Sequence, residues 1–176
     1  TVSQLARRVG LPDQPMILDV RTDEDFGFDP RRLPTSRRRP FGEVAAWAPS
    51  LARRPVVVVC QKGLKLSQGV AAMLRLRGFD AETLEGGFEA WRGAGEPLVA
   101  PERETGIGEE ATLWVTRARP KVDRIACPWL IRRFVDPDAR VLFVAPSEVL
   151  AVAERFGAIP FDVEATRWSH RGELCS

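Results

Sequence analysis

The chain has 176 residues, 26 basic and 24 acidic side chains and 44% apolar residues, a composition that excludes disorder and leaves room for one domain or two small ones. No apolar run approaches the roughly 20 residues of a membrane span, and three scattered cysteines (Cys60, Cys127, Cys175) make no disulfide framework. The near balance of charge excludes a polybasic nucleic-acid module, and free thiols suit a reducing, cytoplasmic setting.

In chain order, Ser3 is placed to cap a short helix over residues 4–9, which Gly10 and Pro12 stop. Residues 16–20, MILDV, form a first strand, and residues 55–60, PVVVVC, a stronger one with four consecutive valines. Unbroken rather than alternating apolarity suits strands covered on both faces, as in a parallel sheet. Between them, residues 22–50 show little periodicity and carry Arg31, Arg32, Arg37, Arg38 and Arg39 among prolines. This stretch reads as a solvated loop or as a flap that binds an anion or a partner. A helix follows from Ser67 towards Gly78, then a strand over 79–84 and a short helix over 88–93. The alternation of strands and helices indicates an α/β fold.

Cys60 ends the strongest strand, and residues 61–67, QKGLKLS, lead straight into a helix. Such a loop turns backbone N–H groups inward, and the helix start adds partial positive charge. A thiolate, a persulfide or an oxyanion is stabilised there, and the thiol pKa falls. Two of the three lysines, Lys62 and Lys65, flank this thiol. A phosphatase of the Cys-x5-Arg type needs Arg where Leu66 stands. The bland alternative is a buried structural thiol.

The pieces Ile17-Leu-Asp-Val-Arg21, Cys60-Gln-Lys-Gly63-Leu-Lys65, Gly78-Phe79 and Leu84-Glu-Gly-Gly-Phe-Glu-Ala-Trp91 occur in an order that resembles the rhodanese family. The resemblance covers residues 1–98 and implies a five-stranded parallel sheet with helices on both faces. It implies that Cys60 accepts a sulfane sulfur as a persulfide and passes it on, with no cofactor. Lys65, where the family usually has Arg, would hold an anionic donor. Gln61, Lys62, Gly63, Leu64, Leu66 and Ser67 would complete the substrate loop. Asp19 and Arg21 carry the family's structural ion-pair position. The usual Gly-His-Ile-Pro-Gly-Ala segment is replaced by the Arg-rich stretch around Leu33-Pro34, and Ser67 stands one place later than the usual Ser.

Residues 99–111 read as a linker, part of the Gly-, Pro- and Glu-rich run 93–111. Beyond it, strands are expected over 112–116 and 140–144, with short ones over 159–163 and 166–169. Helices are expected over 128–135 and from Pro146 to Phe156, the second stopped by Gly157. With Pro128 as first helical residue, Cys127 would sit at the N-cap, another place that favours a thiolate. Cys127, His170 (the one His), Glu173 and Cys175 could hold zinc or a similar metal. Arg117, Arg119, Lys121 and Arg124 could instead bind an oxyanion.

This second part, 112–176, resembles the C-terminal domain of the chromate-resistance protein family. The resemblance is carried by residues 117–134 (RARPKVDRIACPWLIRRF), 158–162 (AIPFD) and 169–176 (SHRGELCS). The family domain usually continues further, so this one reads as shortened at its end. Three functions remain open. One is a sulfurtransferase linked to chromate resistance. The second is a chromate, oxyanion or metal sensor with the rhodanese fold as scaffold. The third is thiol-dependent chromate reduction. The expected partners are a small anionic sulfur donor or chromate, with neither nucleic acid nor membrane, and the oligomeric state is open.

Overall fold

The computed structural model describes residues 1–100, 112–119, 121–164, 166, 168 and 169. The chain divides into two units, Thr1–Pro101 and Glu102–Ser176. Each is α/β with parallel strands.

The first unit begins with α1 (Val2–Arg8), capped by Thr1 rather than Ser3, because Thr1 and Gln4 close a reciprocal capping box. There follow β1 (Met16–Asp19), α2 (Asp23–Phe28), β2 (Arg37–Arg38), α3 (Val44–Trp47) and β3 (Val56–Val59). The unit ends with α4 (Lys65–Arg75), β4 (Ala81–Thr83) and α5 (Gly87–Gly93). The sheet order is β2-β1-β3-β4, all parallel. Its four strands replace the expected five; among the described residues the further pairing is one antiparallel bridge, Arg32 with Val99.

The period-2 pleat explains the unbroken apolar runs. Leu18, Val56 and Val58 face one way, against Val44 and Trp47 of α3 and Val70 and Leu74 of α4. Ile17, Val57 and Val59 face the other way, against Leu5 of α1 and Phe88 and Trp91 of α5. Both faces are therefore dry, and every residue of β1 and β3 is buried.

The stretch 22–50 is not the solvated loop that its polarity suggested. Thr22 caps α2 through the Asp25 N–H at 3.1 Å, and acidic residues fill the first turn of that helix. Leu33, Thr35, Ser36 and Arg39 are buried. Arg38 stacks 4.2 Å over Phe26 and reaches Asp23 at 2.6 Å. Long arginine stems thus cover apolar surface while their heads find local partners.

The second unit contains β5 (Leu113–Arg117), α6 (Asp123–Leu130), β6 (Arg140–Val144), α7 (Val149–Phe156) and β7 (Ile159–Pro160). The sheet order is β6-β5-β7, again parallel. Trp114 packs towards Cys127, Ile131 and Phe161, while Val115 packs towards Val149 and Ala158. Helix α6 starts a turn earlier than expected: Ala126 N–H already donates to the Val122 carbonyl at 2.8 Å. Pro128 lies inside α6, which widens into a π-helical turn over Ile131–Val135. Cys127 is therefore within the helix and not at its N-cap. Gly157 ends α7 in the left-handed conformation, as its sequence position implied. In the short strand expected over 166–169, the described pairing is a bridge of Trp168 with Phe161.

Candidate functional site

Strand β3 delivers Cys60 to the carboxyl end of the sheet, where α4 begins. Cys60 is 4% exposed, and its Sγ lies 3.2 Å from the Ser67 Oγ. Burial pushes the thiol pKa up. The Ser67 hydroxyl and the backbone amides of Ser67, Leu64 and Lys62 outweigh it and hold the thiol below its ordinary value. Lys62 and Lys65 are both exposed at the rim, as is Leu64. Leu66 packs against the core beneath. Gln61 donates through Nε2 to Glu89 at 3.3 Å.

The loop holds its shape against α5 by direct backbone contact. Gly63 has φ +68°, and a Cβ there would stand 2.4 Å from the Leu84 carbonyl oxygen. Gly87 has φ +59°, and a Cβ there would stand 2.2 Å from the Cys60 carbonyl oxygen. Only glycine fits such an approach. The Phe88 and Glu89 N–H groups at the start of α5 donate to the Cys60 and Gln61 carbonyls, each at 3.0 Å. The carbonyl side of the loop is thus engaged by α5, while amides on its other side face the sulfur.

Asp19 and Arg21 are together, as expected. Arg21 Nη2 lies 2.7 Å from Asp19 Oδ2, and both side chains are buried. Arg21 also donates to the Asp29 and Arg31 carbonyls at 2.9 and 2.7 Å, and its guanidinium lies 3.9 Å from the Phe88 ring centroid. The pair ties the segment after β1 to α5, and so supports the Cys60 loop at one remove.

In the second unit the basic cluster splits. Arg117 Nη2 and Arg124 Nε both donate to Asp162 Oδ2, at 3.0 and 2.8 Å. Arg124 also donates to the Ala118 carbonyl at 3.0 Å and to that of Arg119. Burial raises the Asp162 pKa, and the two guanidinium groups more than reverse that. An internal carboxylate therefore sits where an external anion was expected. The Arg119 and Lys121 side chains are exposed. The AIPFD run contained Asp162, but residue type alone gave it no role. Its neighbours in the sequence are apolar residues and Glu164, so no local signal marked it as a partner of Arg117 and Arg124. Cys127 is buried with Trp114, Ile131 and Phe161. His170, Glu173 and Cys175 lie outside the described residues, and among the described residues no group of three or more His, Cys, Asp or Glu side chains is placed to hold a metal ion.

The Rhodanese-like domain family matches residues 1–94, more than half the chain. The chain belongs to the rhodanese-like family. Its second part, residues 114–176, matches the ChrB, C-terminal domain family. Protein ChrB of Cupriavidus metallidurans is 40% identical over 63 residues, which are 36% of this chain and 18% of that protein. The chain thus spans under a fifth of this curated relative. A rhodanese-related protein from Thermoplasma volcanium has a similar structure, with a TM-score of 0.50 at 24% identity, covering 57% of this chain and 95% of its own. A protein from Bacillus halodurans gives a TM-score of 0.50 at 20% identity, over 56% of this chain and 74% of its own. The first of these likenesses shows the fold of a rhodanese-related protein. Among the described residues no helix is long and apolar enough to cross a membrane.

Proposed function

We propose that the rhodanese-like unit is a sulfurtransferase that carries a persulfide on Cys60, in a protein associated with chromate resistance. The observation that carries this reading is the cradle of amides and the Ser67 hydroxyl around Cys60 Sγ, which favours a sulfur-borne negative charge. With thiosulfate as donor, the Cys60 thiolate attacks the outer sulfur. The S–S bond breaks, sulfite leaves with its electron pair, and the outer sulfur stays on Cys60. An acceptor nucleophile then attacks that sulfur, and the Cys60 thiolate departs. Lys62 and Lys65 supply positive charge for the anionic donor, and no cofactor takes part. Such chemistry needs a reduced thiol and fits a cytoplasmic setting.

The test is intact-protein mass spectrometry after thiosulfate exposure. A gain of one sulfur atom is expected in the wild type and none in Cys60→Ser. Absence of a gain from any sulfane donor would sink the sulfurtransferase reading.

For the second unit we propose oxyanion binding, with chromate as the candidate ligand, at the exposed Arg119 and Lys121. Arg117 and Arg124 are committed to Asp162 and would set the backbone of that edge. The competing reading is a zinc or similar ion on Cys127, His170, Glu173 and Cys175. Chromate titration of the wild type and of Arg119→Ala with Lys121→Ala tests the first reading; affinity is expected to fall in the double variant. Stoichiometric zinc uptake that is lost in Cys127→Ala would instead establish the second.

A further inference from the structure

The Ser67 hydroxyl has one proton and two acceptors within reach. Its Oγ lies 3.1 Å from the Leu64 carbonyl oxygen and 3.2 Å from Cys60 Sγ. Ser67 is fully buried, so bulk water does not compete for that proton. The Leu64 carbonyl does not depend on it, because the Gln68 N–H donates to the same oxygen at 3.0 Å. The hydroxyl is therefore able to turn away without leaving a buried carbonyl orphaned.

Cys60 asks for a different bond in each of its states. As a thiol, its S–H donates to Ser67 Oγ while the Ser67 O–H donates to Leu64. As a thiolate, Sγ is an acceptor only. In a persulfide the negative charge sits on the outer sulfur, and Sγ is a weak acceptor. We propose that Ser67 is a positioning residue for Cys60, its hydroxyl turning from the Leu64 carbonyl to Sγ whenever Sγ bears the negative charge.

The consequence for catalysis rests on the sulfur-carrier reading above. During discharge, the acceptor attacks the outer sulfur, the S–S bond breaks, and its electron pair stays on Sγ. The Ser67 O–H then donates to that leaving thiolate, and the outer sulfur departs bonded to the acceptor. During loading the same hydrogen bond must be given up, since Sγ spends its charge in forming the S–S bond. Ser67 therefore assists discharge and not the attack that loads the enzyme.

The experiment follows Cys60 alkylation by iodoacetamide against pH in the full chain, read peptide by peptide by mass spectrometry so that Cys127 and Cys175 do not interfere. In Ser67→Ala the midpoint is expected to rise by about one pH unit, which lowers the thiolate fraction at pH values below both midpoints about tenfold. Ser67→Thr, which keeps the hydroxyl, is expected to stay near the wild-type midpoint. Circular dichroism confirms that each variant is folded. An unmoved midpoint in folded Ser67→Ala overturns the proposal, as does an equal shift in folded Ser67→Thr. In single-turnover assays of preloaded protein with cyanide as acceptor, discharge by Ser67→Ala is expected to slow about threefold. Loading, measured above both midpoints, is expected not to slow. A midpoint shift in a protein that takes up no sulfur would remove the sulfurtransferase reading and leave the role of Ser67 towards the thiolate intact.

Discussion

Asp162 joins two arginines of the second unit. It is 3% exposed, has φ +53°, and accepts from two arginines that lie 38 and 45 residues away. The Arg124 side chain is 7% exposed, whereas that of Arg117 is 37% exposed and partly screened by solvent. Asp162→Asn strands the buried Arg124 charge, so a loss on the order of 3 kcal/mol is expected in urea unfolding of the full chain. The native carboxyl is held below its ordinary value, so its contribution is present above the ordinary carboxylate pKa. It disappears as pH falls through the lowered value. The wild-type advantage over Asp162→Asn should therefore shrink in acid and hold steady near neutrality. Asp29 is likewise held well below the usual carboxylate range, first by Arg31 and also by Arg92, at 2.7 and 3.2 Å. The Arg31 side chain is 48% exposed, so that pair contributes much less than its pKa alone implies.

At the scale of elements, the Cys60 loop is a join between β3, α4 and α5. Its geometry is set by backbone packing at Gly63 and Gly87. Gly87→Ala would drive a Cβ into the Cys60 carbonyl, so the loop must move and Cys60 loses its amide cradle. A rise in the alkylation midpoint of Cys60, with the helix content retained, is the expected sign. Gly69 is the contrasting case: it lies within α4, at ordinary helical φ, and a Cβ there would meet nothing within 4 Å. Gly69→Ala should stabilise the first unit by about 0.5–1 kcal/mol in chemical denaturation. Equal stability would mean that α4 gains nothing from a better helix former at that turn. Helix α6 shows how local signals mislead. Pro128 advertised a helix start, but Asp123 opens the helix a turn earlier, and Cys127 became a core residue.

At the scale of the whole molecule, each unit has its own sheet and its own core clusters. The described groups that hold the Cys60 thiol below its ordinary value, Ser67, Leu64 and Lys62, belong to the first unit. A fragment of residues 1–100 is therefore expected to reproduce the alkylation profile of Cys60 in the full chain; a profile shifted to the ordinary thiol range would show that the second unit is needed. The depressed thiol also links to stability. Its contribution is complete above the ordinary thiol pKa of about 8.5 and is lost as pH falls through the lowered folded value. The stability difference between wild type and Cys60→Ser should accordingly grow as pH rises through that window.

The α/β class, the parallel strands and the place of Cys60 between a strand and a helix were all legible in the order of the residues. Those properties rest on local features: the valine run of β3, the stop residues Gly78 and Gly157, and the short reach from Cys60 to Lys65. The rhodanese-type motifs were likewise legible as runs of neighbouring residues. Folding, and not residue order, puts Ser67 on the sulfur, sets α5 against the far side of the Cys60 loop, and gives Asp162 two of the four arginine and lysine side chains expected to bind an oxyanion. It also turned the arginine-rich stretch after α2 into an edge strand and a buried shoulder of the first sheet. The physical reason is the same in each case. A charge or a hydroxyl in a sequence has a type but no partner, and partners separated by tens of residues are chosen by packing of the sheets and helices between them.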